Sequence, residues 1–303
     1  MRTLTNGVLL AALLITAASA QAPAPAPGAG RQGGVGQGDG REGGAPAAGA
    51  PQGGRGGRGG RQGGPPPTGR AGAQFDLTGT WVSVVSEDWR WRMVTPAKGD
   101  YASVPLNAEG RRIADTWDLA KDNASGEQCR PFGAGAIMRV PTRARISWAD
   151  DMTLKLETDA GTQTRLYNFT PAAATSGEPS WQGVSSASWF KQAQSRGLGF
   201  GGAPPQGAGV LKVVTTRLRP GYLRWNGVPY SDAAVVTEYY NKHSDFGIDW
   251  FTVTTVVEDP KYLTQPFLTS SSFRKEPDDS KFAPTPCETT PPRSGAAVGN
   301  QNP

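Results

Sequence analysis

The stretch DLTGTWVSVVSEDWRWRMVTP, residues 76–96, decides the fold of this 303-residue chain. Gly79 and Trp81 begin its first β-run, where the glycine lets the chain turn in and the indole can cover one end of a core. Because successive side chains of a strand point to opposite faces, Trp89 and Trp91 are predicted to share one face, with the neighbouring arginines on the other. The pattern predicts a long, half-buried first strand with a charged outer face.

Beyond this stretch the chain reads as short apolar runs separated by turn residues. Further strands are predicted at residues 144–148, 153–158, 163–169, 180–190, 210–218, 233–241, 249–257 and 265–273. One helix is predicted over residues 105–117, because Leu106, Ile113 and Trp117 fall on one helical face and Asn107 is a suitable N-cap. Many short strands and a single helix predict an all-β fold, a single antiparallel barrel or sandwich with one short amphipathic helix.

The composition divides the chain into segments. Arg2, a short apolar run and a small-residue site ending at Ala20 predict a secretory signal peptide that is cleaved after Ala20. The Gly/Pro/Arg-rich segment after it has Val35 as its only large aliphatic residue, so it is predicted to be a disordered spacer. The segments are a signal peptide at 1–20, the spacer at 21–74, the β domain at 75–289 and a disordered tail at 290–303. We therefore expect a periplasmic or secreted protein.

The net charge of +5 lies outside the β domain. The spacer holds six arginines against two acidic residues, and Arg2 adds one more positive charge, so residues 75–303 are neutral as a whole. A neutral, exported domain gives no electrostatic reason to bind nucleic acid, and we expect no such partner. The Arg/Gly spacer is expected to associate weakly with an anionic envelope surface.

Cys129 and Cys287 are the only cysteines, and both lie in the β domain. In an oxidising compartment an even pair predicts a disulfide bond. A bridge that closes so long a loop stabilises the fold by about 4–5 kcal/mol at best in the chain-entropy model.

Several motifs are spread over residues 75–289. They are Asp76-Leu-Thr-Gly-x-Trp81, Pro105-Leu-x-x-Glu-Gly110, Cys129-x-Pro131, Pro179-Ser-Trp-x-Gly183, Ser231-Asp-Ala233 and Val257-Glu-Asp-Pro-x-Tyr262. Together they resemble a family of uncharacterised secreted proteins common in acidobacteria and related soil bacteria. The Gly-x-Trp element resembles the opening signature of lipocalin and wider calycin barrels, which implies a lipocalin-like barrel. The resemblance to the family of uncharacterised secreted proteins implies no activity.

Histidine-based chemistry is not expected. His243 is the only histidine, so a histidine-based zinc site is excluded by count, and its polar neighbours indicate an exposed turn. Many members of the resembled family carry histidine where this chain has Val184, Tyr230 and Val235. We expect no metal and no cofactor, since no Gly-rich phosphate loop lies between a strand and a helix.

Aromatic residues beside polar neighbours are the candidate contacts for a ligand. The candidates are Trp89, Trp91, Arg92, Tyr240 and Trp250. Two rings on alternate positions of a strand stand about 7 Å apart, a spacing that suits platforms beneath an elongated ligand. The same aromatic residues could equally form the core of a strand-rich protein.

Three glutamates are the candidate catalytic residues if the protein is an enzyme. Glu87 shares the predicted face of the two tryptophans, Glu238 lies mid-strand and Glu258 ends a strand. A carboxyl pair beside aromatic rings is what a carbohydrate-active enzyme needs. The alternative, which we favour, is that Glu238 pairs with a cross-strand arginine such as Arg217, or that Glu258-Asp259 caps a turn.

Three functions follow from these patterns. The preferred one is a secreted, lipocalin-like binding protein for a small apolar, aromatic or glycan-like ligand. The alternatives are a structural or envelope-interaction module and a carboxylate-dependent carbohydrate-active enzyme. A hollow barrel favours the first, a filled barrel with an exposed apolar edge the second, and a shared cleft for the three glutamates the third.

Overall fold

The computed structural model describes residues 68–170, 177–191 and 209–287. The predicted signal peptide, most of the predicted spacer and the predicted tail lie outside the described residues. Within the described part of the chain, no helix is both long and apolar enough to cross a membrane.

The described chain forms a closed β-barrel. Its strands are β1 (Gly79–Val84), β2 (Arg143–Asp150), β3 (Thr153–Thr158), β4 (Thr164–Asn168), β5 (Val184–Lys191), β6 (Gly209–Thr216), β7 (Gly221–Tyr222), β8 (Pro229–Tyr230), β9 (Val235–Asp245), β10 (Ile248–Glu258) and β11 (Phe267–Lys275). Around the barrel the order is β1-β11-β10-β9-β6-β5-β4-β3-β2, and β2 pairs with β1 to close it. The β7–β8 pair forms a separate small sheet. The predicted all-β barrel is confirmed.

One pair of neighbouring strands departs from the predicted antiparallel arrangement. β4 and β5 are parallel, paired at Tyr167 with Ser185 and at Asn168 with Ser186. Parallel neighbours need a connection of about a dozen residues or more, and β4 ends at Asn168 whereas β5 begins at Val184. The other barrel pairs are antiparallel.

Side chains fill the barrel. Trp81 is fully buried, and its indole N–H donates to the carbonyl oxygen of Leu77 at 2.8 Å. The Phe251 ring contacts Trp81 at 4.9 Å between centroids and stacks on Phe273 at 4.6 Å. Tyr240 joins the same aromatic cluster, 5.8 Å from Phe251. Inward-facing side chains therefore pack the interior, as is usual for small barrels.

Helical segments lie at one end of the barrel. They are α1 (Trp89–Arg92), α2 (Ala108–Ala114) and α3 (Leu119–Ala124). Ala114 of α2 packs in one cluster with Val236, Val257 and Phe267 from the strand ends. α2 confirms the predicted helix and its cap, because the Asn107 side chain accepts a hydrogen bond from the Gly110 N–H at 2.8 Å. The expectation of a single helix was wrong, since α1 and α3 also form.

The predicted long first strand is also wrong, because β1 ends at Val84. Asp88 has a left-handed backbone with φ of 53°, which breaks an extended chain, and its carbonyl accepts hydrogen bonds from the N–H groups of Trp91 and Arg92. Trp89 and Trp91 therefore lie on a helical turn, where residues two apart do not share a face. The two-platform arrangement of these tryptophans does not form.

Two further links hold the ends of the described chain. Cys129 and Cys287 form the predicted disulfide, with 5.2 Å between their Cα atoms. At the other end, residues 69–72 belong to the folded part of the chain, although the sequence predicts that they are part of the spacer. A 3₁₀ helix, Gly69–Gly72, packs on the barrel, where Arg70 N–H donates to the Asp151 carbonyl at 2.8 Å and Trp189 Nε1 donates to the Gly69 carbonyl at 2.9 Å.

Candidate functional site

A groove of about 300 Å³ lies beside α2, α3 and the β7–β8 pair. Among the described residues, its lining comes from these elements and the loops beside them, and none of it belongs to a barrel strand. Its aromatic side chains are Trp117, Tyr222, Tyr230 and Tyr262. This volume is at the lower end of the range for small-molecule sites, roughly 300–1,000 Å³.

A carboxylate, a phenol and a guanidinium form the polar base of the groove. The Tyr222 hydroxyl donates to Asp122 Oδ2 at 2.7 Å, and Arg130 Nη1 donates to Asp122 Oδ1 at 3.0 Å. Arg130 also donates to the Tyr222 hydroxyl at 3.0 Å. Burial, together with the hydrogen bond to Asp122, raises the pKa of Tyr222 above its usual value, so its hydroxyl stays protonated and donates at neutral pH.

Helix α3 places Asp122 and Lys121 at the groove. Asp118 caps the helix, its carboxylate accepting from the N–H groups of Ala120 at 2.9 Å and Lys121 at 3.3 Å. One turn later Asp122 is buried at the base, whereas Lys121 is exposed at the rim. The capped turn therefore fixes one cation and one carboxylate on the same side of the groove.

Further ion pairs hold the Arg130 side chain in place. Its Nε donates to Glu127 at 2.8 Å, and Glu127 also accepts from Arg219 at 2.9 Å. Arg130 directly follows Cys129, one half of the disulfide. The covalent link and the ion pairs together limit the movement of this guanidinium, so the base of the groove is formed before a ligand arrives.

Tyr230 forms the back wall and is fully buried. A Cβ atom at Gly133 would lie 2.0 Å from its hydroxyl oxygen, and one at Gly221 would lie 2.4 Å from it, so only glycine fits at these positions. Burial raises the pKa of this hydroxyl. The wall is therefore rigid and uncharged.

No family model, no curated protein and no solved structure matches this chain.

Three of the residues predicted from the sequence come together, but away from the groove. Arg92 Nη1 pairs with Glu87 at 2.6 Å, and its Nε donates to the Arg139 carbonyl at 2.8 Å. The adjacent Trp91 ring lies under the Arg224 guanidinium at 4.5 Å. Trp89, by contrast, is 63% exposed to solvent.

Tyr240 and Glu238 lie in the filled interior rather than at a surface. Arg165 forms a bidentate ion pair with Glu238, with N–O distances of 2.8 and 2.7 Å, and both side chains are fully buried. The Tyr240 hydroxyl lies 2.7 Å from that of Tyr167. The favoured prediction that Glu238 pairs with an arginine is confirmed, but the partner is Arg165 on β4, which is not next to β9 in the barrel, and Arg217 donates to the Gly177 carbonyl.

The remaining predicted residues lie elsewhere. Trp250 is far from Trp91, at the opposite end of β11. Trp250 lies opposite Arg274 at the end of that strand, whereas the Arg224 guanidinium contacts both Trp91 and Phe267 at its start. Phe267 and Arg274 are seven residues apart, which is about 23 Å along an extended strand. Glu258 is exposed at the end of β10, and His243 is exposed on β9.

The structure therefore does not bring Glu87, Glu238 and Glu258 into one cleft. Among the described residues, no group of three or more His, Cys, Asp or Glu side chains is placed to hold a metal ion.

Sequence reasoning missed Asp122, Arg130 and Tyr222. Residues 118–142 show no regular apolar spacing, and the pattern there indicates only irregular chain. One signal was present, because Arg130 lies inside the Cys129-x-Pro131 motif. Its partner Tyr222 is 92 residues further along the chain, so no local pattern connects the two.

Proposed function

We propose that this chain is a binding protein whose ligand, a small polar molecule of glycan-like chemistry, occupies the groove beside α3. The observation that carries this proposal is the base of Asp122, Arg130 and Tyr222 beneath aromatic walls. The proposal differs from the lipocalin expectation in one respect: the ligand site is outside the barrel, because aromatic side chains fill the interior.

The charged groups of the groove favour a polar ligand over an apolar one. An apolar ligand would remove water from the Asp122 and Arg130 side chains without replacing its hydrogen bonds, which is costly. The hydroxyl groups of a sugar both donate and accept, and Asp122 uses only some of the roughly four acceptor positions of a carboxylate for Tyr222 and Arg130. Aromatic walls provide apolar area for the faces of a sugar ring.

We also propose that the protein works outside the cytoplasm. Disulfide bonds persist in oxidising compartments, and the Cys129–Cys287 bond supports such a location. Extracellular and periplasmic fluids contain soluble glycans that a groove of this size could take as single sugar units.

The test is a binding panel on the full chain. Mono- and disaccharides are titrated by calorimetry and by tryptophan fluorescence, for which Trp117 in the groove wall is the reporter. We expect Tyr222→Phe to weaken binding of the best sugar about tenfold, because it removes a hydrogen bond to a charged group and frees Asp122 to move.

The matched control is Tyr239→Phe. Tyr239 is half-buried on β9, near Lys212 and outside the groove, so this change should leave the affinity unaltered. Fatty acids are titrated in the same way as the apolar comparison. The proposal is contradicted if no sugar binds, whether or not a fatty acid does, or if the wild type and Tyr222→Phe bind the best sugar with equal affinity.

A further inference from the structure

Three arginine side chains are buried around Trp91, on the barrel surface near α1. Arg92 is 2% exposed, Arg139 is 5% exposed and Arg224 is 3% exposed. They come from α1, from the 3₁₀ helix Ile137–Arg139 and from the segment between β7 and β8. We call Trp91 and these three residues the arginine cluster.

The arginine cluster has one cation more than its carboxylates neutralise. Arg92 pairs with Glu87 at 2.6 Å and Arg139 with Asp88 at 3.0 Å. Among the described residues, Arg224 has no carboxylate oxygen within ion-pair distance, and its Nη1 donates to the Ala102 carbonyl at 2.6 Å.

The two acids that attract the Arg224 guanidinium are already engaged. Asp88 is paired with Arg139 at 3.0 Å, and Asp100 is paired with Arg90 at 2.6 Å. Burial, followed by repulsion from Arg139, lowers the pKa of Arg224 to about 10. At neutral pH the guanidinium therefore remains charged, and it is a buried cation with no counter-charge of its own.

The same four side chains carry buried N–H donors without acceptors. Trp91 Nε1, Arg92 Nη2, Arg139 Nε and Arg224 Nε are inaccessible to solvent and have no hydrogen-bond partner among the described residues. All four residues line one cavity of about 10 Å³. Its other lining side chains are apolar: Pro131, Ala136, Val140, Leu223 and Trp225.

The size and chemistry of this cavity select the ligand. A volume of about 10 Å³ is roughly that of one water-sized particle, so sulfate, phosphate and carboxylates are too large, whereas a halide ion, slightly wider than water, needs only small shifts of the lining side chains. A water molecule must also place its own two protons, and the described lining side chains offer no acceptor, which leaves it only backbone carbonyls. A monatomic anion accepts from several donors, has no protons to place and supplies the missing negative charge.

We propose that the arginine cluster binds a single halide ion, chloride under ordinary conditions, beside Arg224 and Trp91. This site is separate from the groove and does not depend on the function proposed for it. The bound ion neutralises Arg224 and so stabilises the packing of α1 on the barrel.

The first test measures thermal unfolding of the full chain in sodium chloride and in sodium gluconate at equal ionic strength, which keeps general screening constant. We expect chloride to raise Tm in proportion to the logarithm of its concentration above Kd, with a gain of about 3–6 °C at ten times Kd. Arg224→Met keeps much of the volume and removes the charge, so its Tm should be the same in both salts. Arg112→Met, at an exposed arginine on α2, is the control and should keep the full chloride effect.

A second measurement remains informative if Arg224→Met does not fold. Crystals of the wild-type protein grown in sodium bromide should show an anomalous scattering peak next to Arg224 and Trp91. The proposal is overturned if bromide gives no peak there and Tm does not differ between the salts, which would indicate water in the cavity. A chloride effect that persists in Arg224→Met would also overturn it, because the ion would then bind elsewhere.

Discussion

The Arg165–Glu238 pair shows how much a single buried contact contributes to this fold. Glu238→Leu would leave the Arg165 guanidinium charged, fully buried and unpaired inside the barrel. We expect a loss of about 3–5 kcal/mol in the free energy of unfolding, measured by urea denaturation. The double variant Arg165→Met, Glu238→Leu should recover part of that loss, because neither charge then remains.

An ion pair that is not fully buried provides the control. Arg145 and Glu157 lie 3.2 Å apart in a partly exposed pair, so Glu157→Leu should change stability by less than about 1 kcal/mol. If Glu238→Leu and Glu157→Leu lowered the free energy of unfolding equally, an unpaired Arg165 inside the barrel would cost little, which contradicts the prediction.

Residue patterns predicted part of this arrangement. Glu238 alternates with Val236 and Tyr240 on β9, so the sequence predicts that it shares their face. Its partner is 73 residues away, and the two strands approach each other only because the barrel closes. Arg217 was a reasonable choice by proximity along the chain, but it lies just beyond β6 with φ of 54° and is exposed.

At the level of elements, helix α2 depends on its N-cap. The Asn107 side chain satisfies the Gly110 N–H and also donates to the Lys261 carbonyl at 3.0 Å. Asn107→Ala removes both hydrogen bonds and should lower the free energy of unfolding by about 1 kcal/mol. Asn107→Ser retains a capping oxygen and loses only the contact with Lys261, so its loss should be smaller. Equal losses for the two variants would place the stabilisation in the Lys261 contact instead.

Apolar alternation located the strands well, because each barrel strand buries one of its faces. The predicted run at 153–158 is β3 itself, and the other predicted runs overlap β2, β4, β5, β6, β9, β10 and β11. Alternation failed at Trp89 and Trp91, where it continues past a left-handed Asp88 that ends the extended chain. Side-chain spacing alone does not show such a local change in the backbone.

At the level of the whole molecule, the sequence predicted a barrel but left open whether it is hollow. The answer depends on the summed volume of side chains that meet only when β1 pairs with both β2 and β11. Trp81, Phe251 and Phe273 fill that space from three different strands. The groove follows from the same closure, because α2, α3 and the β7–β8 pair are left on the outside of a packed barrel.

The N-terminal boundary of the folded unit can be tested by deletion. Residues 21–67 lack the apolar content to pack, so deleting them should leave Tm unchanged. Deleting 21–74 should lower Tm by several degrees, because it also removes the 3₁₀ helix Gly69–Gly72. That segment accepts a hydrogen bond from Trp189 Nε1 and donates one to Asp151.

Trp189→Phe tests the Trp189–Gly69 hydrogen bond alone and leaves the Arg70–Asp151 hydrogen bond in place. It removes the hydrogen bond to Gly69 while keeping a ring against Phe75, whose centroid lies 5.2 Å from that of Trp189. We expect a decrease in Tm smaller than that of the 21–74 deletion. If both deletions leave Tm unchanged, residues 68–74 add nothing to stability, and the folded unit begins at Phe75, where the composition of the sequence places it.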